Sequence, residues 1–195
     1  DEYTLCGWAQ IGGFKIGIIG NNGPITAKGA VKAAQFIQLS DQTGTPLLFL
    51  QNTTGFIVGK DAETAGIIKH GSKLIQAVAN ARVPRITIMV GASFGAGNYA
   101  MCGRGYDPDF LFSWPNHRIA VMGGEQAAGV LEIVARGSAK RRGKDVDEKA
   151  LDAQRADIID HYDKTSSALY ATAQVWDDGI IDPRDTRRIL IECLA

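Results

Sequence analysis

The sequence has few of the residues on which most metal and covalent catalytic sites depend. It contains 3 histidines and 3 cysteines, and none of the cysteines forms a C-x-x-C metal pair. An odd number of widely spaced cysteines (Cys6, Cys102 and Cys193) indicates buried free thiols in a reducing compartment rather than a disulfide framework. The sequence therefore predicts neither a metal site nor disulfides.

The chain also lacks a charge excess and a long apolar run. Its 21 basic and 21 acidic residues balance, which argues against nucleic acid or an anionic membrane surface as the main partner. No apolar stretch approaches the roughly 20 residues of a membrane span. Zero net charge with 45% hydrophobic residues is typical of a subunit that buries surface in an assembly. Without an initiator Met, we expect residues 1–195 to be one domain of a longer protein, with no internal boundary.

What the sequence does contain is an alternation of apolar strands and helices. Strands are predicted as a hairpin around Gly12-Gly13 and at 46–50, 85–90, 110–114 and 118–123. Helices are predicted at 26–40, 63–81, 123–136 and 147–175, the last after a charged surface stretch, and a short strand and a closing helix at 179–193. This order indicates an α/β fold with right-handed βαβ units and a mainly parallel sheet.

The stretch "VGASFGAGNYA" (90–100) follows a predicted strand directly and fits three kinds of site. As a G-x-S-x-G hydrolase elbow it would make Ser93 the nucleophile, but no downstream histidine is well placed: His117 lies in a turn and His161 among charges. As a G-x-G-x-x-A dinucleotide turn it follows the wrong strand and lacks an acid downstream. Both interpretations are disfavoured.

The third interpretation uses the main chain alone. Gly95, Ala96 and Gly97 open a helix, so their N–H groups are unpaired at the positive end of its dipole and can form an oxyanion hole. Gly55, in "NTTGF", ends a second strand–loop junction. Carboxyl ends of adjacent parallel strands border one crevice, so we expect both clusters to face it. Close helix–strand packing is the alternative explanation for either cluster alone.

Three motifs carry a resemblance to a known family: "GAGNYAMCGR" (95–104), "MGGEQAA" (122–128) and "VWDDGIIDP" (175–183). With them, the chain from about Gly7 to its end resembles the C-terminal half of carboxyltransferase β-subunits of biotin-dependent acyl-CoA carboxylases. The first two motifs resemble the branch that acts on 3-methylcrotonyl-CoA and geranyl-CoA. Departures in "PITAKGAVKAAQF" (24–36), and Ala100 and Gly105 where Gly and Ala are expected, favour the geranyl-CoA member over the 3-methylcrotonyl-CoA member.

The resemblance implies a crotonase-like ββα spiral that forms the second, biotin-side domain of a two-domain β-subunit. The first domain, which carries most of the acyl-CoA site, would be absent from residues 1–195. The family assembles as a β-subunit hexamer with active sites at dimer interfaces. Its partner is an α-subunit that carries biotin and uses ATP and bicarbonate. The expected location is the bacterial cytoplasm, or the mitochondrial matrix if the source is eukaryotic.

The resemblance also implies residue roles. The N–H groups of Ala96 and Gly97 would bind the ureido oxygen of carboxybiotin, whose nitrogen then takes a proton from the γ-carbon of the enoyl-CoA. The remaining members of the cofactor site would line or wall the biotin pocket: Thr54, Gly55, Phe56, Phe94 and Gly95, with Tyr99.

Other polar residues have weaker claims to a role. His70, with Lys69 and Lys73, fits either the CoA phosphates or a solvated helix face, and Glu125-Gln126 fit the start of a helix better than a substrate contact. Two competing hypotheses remain: a crotonase-fold scaffold without activity, and a free-standing serine hydrolase that uses Ser93.

Overall fold

The computed structural model describes residues 1–143 and 145–195; Lys144, in the predicted charged stretch, lies outside them. The strands of the described part are Thr4–Ile11 (β1), Phe14–Asn21 (β2), Leu47–Thr53 (β3), Arg85–Phe94 (β4), Phe110–Ser113 (β5) and Arg118–Ala120 (β6). The helices are Ala27–Gln42 (α1), Lys60–Thr64 (α2), Ile67–Asn80 (α3), Gly97–Ala100 (α4), Gly124–Arg141 (α5), Glu148–Thr165 (α6), Ala168–Ala173 (α7) and Thr186–Leu194 (α8), with 3₁₀ turns at Arg104–Tyr106 and Pro183–Asp185.

One sheet runs in the order β1-β2-β3-β4-β5, and β6 also pairs with β4. β1 and β2 form an antiparallel hairpin, and every other pairing is parallel. The hairpin turn places Gly12 and Gly13 at φ values of 59° and 93°, which suits a type I′ turn because both of its central residues need positive φ. The predicted hairpin and mainly parallel α/β sheet are confirmed.

Helices cover the sheet on both faces. On one face, α1 and α3 pack over β2 and β3 through Ile37, Leu74 and Phe49, and on the other α8 packs through Leu190. Consecutive residues of β3 therefore point into two cores, which explains its uninterrupted apolar sequence. Full burial of an aliphatic side chain contributes about 1.5–3 kcal/mol, so these layers hold the strand ends firmly.

Two of the predicted helices are broken in the structure. The helix predicted at 63–81 is split into α2 and α3 by Gly66, whose φ of 82° lies in the left-handed region. The helix predicted at 147–175 ends at Thr165, because Ser167 caps the new helix α7 by accepting a hydrogen bond from the Tyr170 N–H. Asp182 caps the 3₁₀ turn at Pro183–Asp185 by accepting from the Arg184 N–H at 2.9 Å, and the closing helix α8 begins after this turn, at Thr186.

Helix α5 differs from expectation in what it buries. Helical periodicity places Ala127, Val130, Leu131 and Val134 on one side of this helix, where a core face is expected. Only Ala127 is buried, whereas Val130, Leu131 and Val134 are 51%, 45% and 56% exposed. The helix packs instead against α6 in an antiparallel pair, tied by ion pairs such as Arg136–Glu148 at 2.7 Å. An apolar face of the α5–α6 pair therefore stays uncovered in this chain.

The cysteines follow the prediction in part. All three cysteines are free, but only Cys102 is fully buried. Trp8 is 55% exposed and packs on Phe36 at the edge strand. Within the described residues no helix is both long and apolar enough to cross a membrane.

Candidate active site

The two glycine turns lie side by side at the carboxyl edge of the sheet. β3 ends at Thr53 and β4 at Phe94, and the turns that follow them touch. A Cβ atom built on Gly97 would lie 2.8 Å from Thr53 Cγ2 and 2.9 Å from Gly55 Cα. The turn after β3 thus occupies the space that a side chain on Gly97 would need, and both clusters border one crevice.

Hydrogen bonds fix the backbone of both turns. Gly55 and Gly95 have φ values of 111° and 58°, which favour glycine. The Thr53 hydroxyl accepts from the Gly55 N–H at 3.0 Å, and the Gly95 N–H donates to the Ala120 carbonyl at 3.1 Å. The second turn is therefore held by β6 as well as by β4.

Two adjacent N–H groups of the second turn are left without acceptors. The N–H groups on either side of them are used, since Gly95 donates to Ala120 and Asn98 donates to the Gly95 carbonyl at 3.2 Å. Those of Ala96 and Gly97 have no acceptor among residues 1–143 and 145–195. Ala96 is exposed and is the N-cap of α4, and Gly97, which is buried, is the first residue of that helix. Such a pair can donate to an incoming oxygen that gains negative charge.

A buried polar network supports the turn from below. Asn98 Nδ2 donates to Ser93 Oγ at 2.7 Å, and Gln51 Nε2 donates to the Met101 carbonyl at 3.1 Å. Ser93 and Gln51 are fully buried. Satisfied buried networks are rigid, so the amides of the turn are held in a fixed orientation before any ligand arrives.

The structure contradicts both the serine hydrolase and the dinucleotide-binding interpretations of this stretch. Ser93 has no exposed surface and bonds to Asn98, while His117 Nδ1 bonds to the Gly91 carbonyl instead, so the elbow of a serine hydrolase is not formed. The dinucleotide interpretation fails because the turn follows the fourth strand and opens a helix of only 4 residues.

An apolar pocket of about 360 Å³ lies beside the amide pair. Ala96 forms one edge of it, and the Phe56 ring packs so closely on Gly71 that a Cβ there would lie 2.9 Å from Phe56 Cε1. Several of its walls are open, since Val58 is 88% and Ile68 75% exposed. The other lining residues come from the 57–58 loop and from α2 and α3: Ile57, Val58, Glu63, Ile67, Ile68, Gly71, Ser72 and Ile75.

The predicted site residues divide into two groups. Gly55, Gly95, Ala96 and Gly97 form the paired turns, and Phe56 lines the pocket. Thr54 is exposed at the end of β3. Two aromatic residues that were expected to wall the pocket lie outside its lining: Phe94, which is near Gly123, and Tyr99, which packs on Gly105. The apolar residues of α3 were missed as pocket residues, and their signal was the isoleucine pair at the start of the helix, of which Ile68 is 75% exposed.

Other residues singled out in the sequence lie away from the turns. Ala100 is fully buried in the core, so it lines no open surface of this chain. Glu125 pairs with Arg155 in the first turn of α5, as expected of a residue that favours a helix start. His70 and Lys73 line a separate groove between α1 and α3.

Backbone donors on paired glycine turns, at the carboxyl edge of a ββα sheet, define a crotonase-like carboxyltransferase domain. Residues 2–195 match the carboxyl transferase domain family, and the chain belongs to that family. The crotonase-like fold predicted from the sequence is confirmed.

Known proteins similar to the chain include both substrate branches. The β-subunit of geranyl-CoA carboxylase from P. aeruginosa superimposes with a TM-score of 0.91 at 58% identity, over 100% of this chain and 36% of that one. The mitochondrial methylcrotonoyl-CoA carboxylase β chain of Arabidopsis thaliana is 53% identical over 98% of this chain and 32% of its own length. Transcarboxylase 12S, whose structure is described as a hexamer, superimposes with a TM-score of 0.84 at 33% identity. The match covers 99% of this chain and 36% of that one. The chain thus spans about a third of the length of these relatives.

Proposed function

We propose that this chain is the biotin-side second domain of a carboxyltransferase β-subunit. The reaction is carboxyl transfer from carboxybiotin to the γ-carbon of a β-methyl-branched enoyl-CoA. The observation that carries the proposal is the pair of free N–H groups at Ala96 and Gly97 beside an apolar pocket. This combination suits a ligand with one strongly polar oxygen on an otherwise apolar ring.

The residues present fit biotin. Its ureido oxygen matches the two free donors, and its apolar ring system matches the pocket lined by Phe56, Ile67 and Ile75. When bound in carboxylated form, biotin supplies the carboxyl group and afterwards the nitrogen base, so the chain needs no acid–base side chain of its own. Thr54, Gly55 and Gly95 complete the proposed cofactor site, Gly55 and Gly95 by keeping the approach open, whereas Phe94 lies outside the pocket lining and would act only through the turn that it precedes.

The contribution proposed for this chain is a pair of fixed N–H dipoles that bind and orient the cofactor. The N–H groups of Ala96 and Gly97 would hold the ureido oxygen and would stabilise negative charge on it, and they would need no rearrangement because the turn is anchored at Gly95 and Asn98. One such donor is typically worth about 2.7–4 kcal/mol of transition-state stabilisation.

The proposed partners follow from the length and surface of the chain. The acyl-CoA would be held mainly by a first domain, since the relatives are about three times as long. An α-subunit would carry biotin and use ATP and bicarbonate. A β-subunit hexamer is supported by the uncovered apolar face of α5, where Ile133 is 72% exposed. The site would lie in a bacterial cytoplasm, or in the mitochondrial matrix for a eukaryotic source.

We propose geranyl-CoA as the acyl substrate, with 3-methylcrotonyl-CoA as the alternative. The 58% identity to the geranyl-CoA carboxylase β-subunit supports the longer chain. Because Ala100 is buried, its effect on an acyl pocket would act through the backbone of α4 rather than by contact.

The test is carboxylation of both acyl-CoAs by the full-length β-subunit assembled with its biotinylated partner. Activity on geranyl-CoA supports the proposal in full. Activity on 3-methylcrotonyl-CoA alone keeps the carboxyltransferase and changes the substrate. Activity on neither, with biotin carboxylation intact, would favour the non-catalytic scaffold.

A further inference from the structure

Strand β4 changes its neighbour just before the amide pair. β5 is aligned with β4 only as far as Met89, and β6 is aligned with it only from Ala92 onward. Val90 and Gly91 lie between these two registers. The last residues of β4 thus depend on the short strand β6 for their alignment on this side.

Two side chains from the β5–β6 connection bridge the gap. Asn116 Nδ2 donates to the Val90 carbonyl at 3.0 Å, and His117 Nδ1 lies 2.7 Å from the Gly91 carbonyl. A carbonyl oxygen can only accept, so Nδ1 carries the proton and donates it. The His117 ring is 1% exposed, which makes this a buried, fixed contact.

The contact between His117 and Gly91 is linked to the turn through strand β6. β6 starts at the residue after His117, and its last residue, Ala120, accepts the N–H of Gly95. Gly95 is followed by Ala96 and Gly97. A shift of the ring against Gly91 would therefore move β6, and with it the Ala120 carbonyl that accepts the Gly95 N–H.

Histidine is a costly residue in this place. Its Nε2 is buried and has no partner within residues 1–143 and 145–195, and a buried unpaired polar atom destabilises a fold. A hydrocarbon ring of similar shape would avoid that cost. Burial also lowers the pKa of His117, despite the opposing effects of the Gly91 hydrogen bond and of Asp177, so the ring is neutral near pH 7. Of the two ring nitrogens of His117, only Nδ1 makes a hydrogen bond in the described structure, so the function of the ring depends on the Nδ1–H donor.

We infer that His117 is a positioning residue that holds the amide pair of Ala96 and Gly97 in its donating geometry, an inference that rests on the function proposed above. The ring joins the end of β4 to β6 and so sets the turn between Gly95 and α4. It touches no substrate and exchanges no proton in the reaction.

The test places side-chain amides of two different lengths, Asn and Gln, at position 117 of the full-length, assembled enzyme. In His117→Asn the side-chain nitrogen takes the place of Nδ1 and keeps the donor, so kcat should stay within about threefold of the unaltered enzyme. In His117→Gln and His117→Phe the donor is displaced or lost. There kcat should fall about tenfold or more, with an unchanged KM for the acyl-CoA, because only transition-state stabilisation is affected. The exposed His161, changed to Phe, is the matched control.

Amide hydrogen exchange of residues 93–99 gives a second, activity-independent readout. Faster exchange in His117→Gln and His117→Phe than in His117→Asn supports the inference. Equal kcat for the Asn and Gln variants together with unaltered exchange overturns it. If the unaltered enzyme carboxylates no acyl-CoA, the proposed function fails, and the exchange comparison alone decides whether His117 orders the turn.

Discussion

Replacement of Ala96 by proline removes one of the two proposed donors and little else. Ala96 has a φ of −68°, which falls within the range that proline imposes, and its N–H makes no hydrogen bond in the described structure. The change therefore breaks no intramolecular bond. If the N–H group serves as an oxyanion donor, its loss should lower kcat by about 10²–10³-fold, or roughly 2.7–4 kcal/mol.

The measurement separates the two half-reactions. Carboxylation of acyl-CoA by the assembled enzyme should fall, whereas bicarbonate-dependent ATP hydrolysis, on the α-subunit, should not change. Ala96→Gly keeps the N–H and serves as the matched control. Proline also restrains the residue before it, here Gly95, so thermal unfolding of both variants is needed to separate a lost donor from a disturbed turn. An Ala96→Pro enzyme that retains full acyl-CoA carboxylation would refute the oxyanion hole.

Two further predictions concern the crevice and the buried histidine. Gly97→Ala should reduce kcat by at least about 100-fold, because its Cβ would lie 2.8 Å from Thr53 Cγ2 and 2.9 Å from Gly55 and so force the turns apart. Gly137→Ala, where a Cβ meets nothing within 4 Å, should leave kcat unchanged and raise the melting temperature. Because burial lowers the pKa of His117, the unfolded chain binds its proton first, so the free energy of unfolding should decrease as pH falls below 6.5 and level off below the folded-state pKa. Urea titrations between pH 7.5 and pH 5 should show this loss in the unaltered protein and a smaller loss in His117→Asn; equal slopes would contradict it.

The sheet was predictable because its sequence signals are local. The Gly12-Gly13 turn and the apolar β3 run each depend on neighbouring residues, and their pairing follows from the parallel α/β pattern. The helix breaks were missed for the opposite reason. Gly66 and Ser167 stand within otherwise helical periodicity, and only packing decides whether such residues end a helix.

The candidate site was predicted in outline but not in its walls. Glycines at the ends of adjacent strands identify a crevice, since the topology alone brings them together. The pocket beside Ala96 depends on which side of α3 faces outward, and Ile68 is exposed although isoleucine is among the residue types most often buried. The role inferred for His117 depends on a change of strand partner at Gly91, which no sequence pattern marks.

A site made of main-chain donors has an unusual tolerance of mutation. Every amino acid except proline brings the same N–H group to position 96, so almost no exchange of residue type there deletes the functional group itself. Inactivating changes should instead be those that add a side chain at Gly97, where the turn after β3 fills the space, or at Gly55, whose φ of 111° disfavours one. The turn after β4 therefore cannot enlarge at Gly97 unless the turn after β3 retreats.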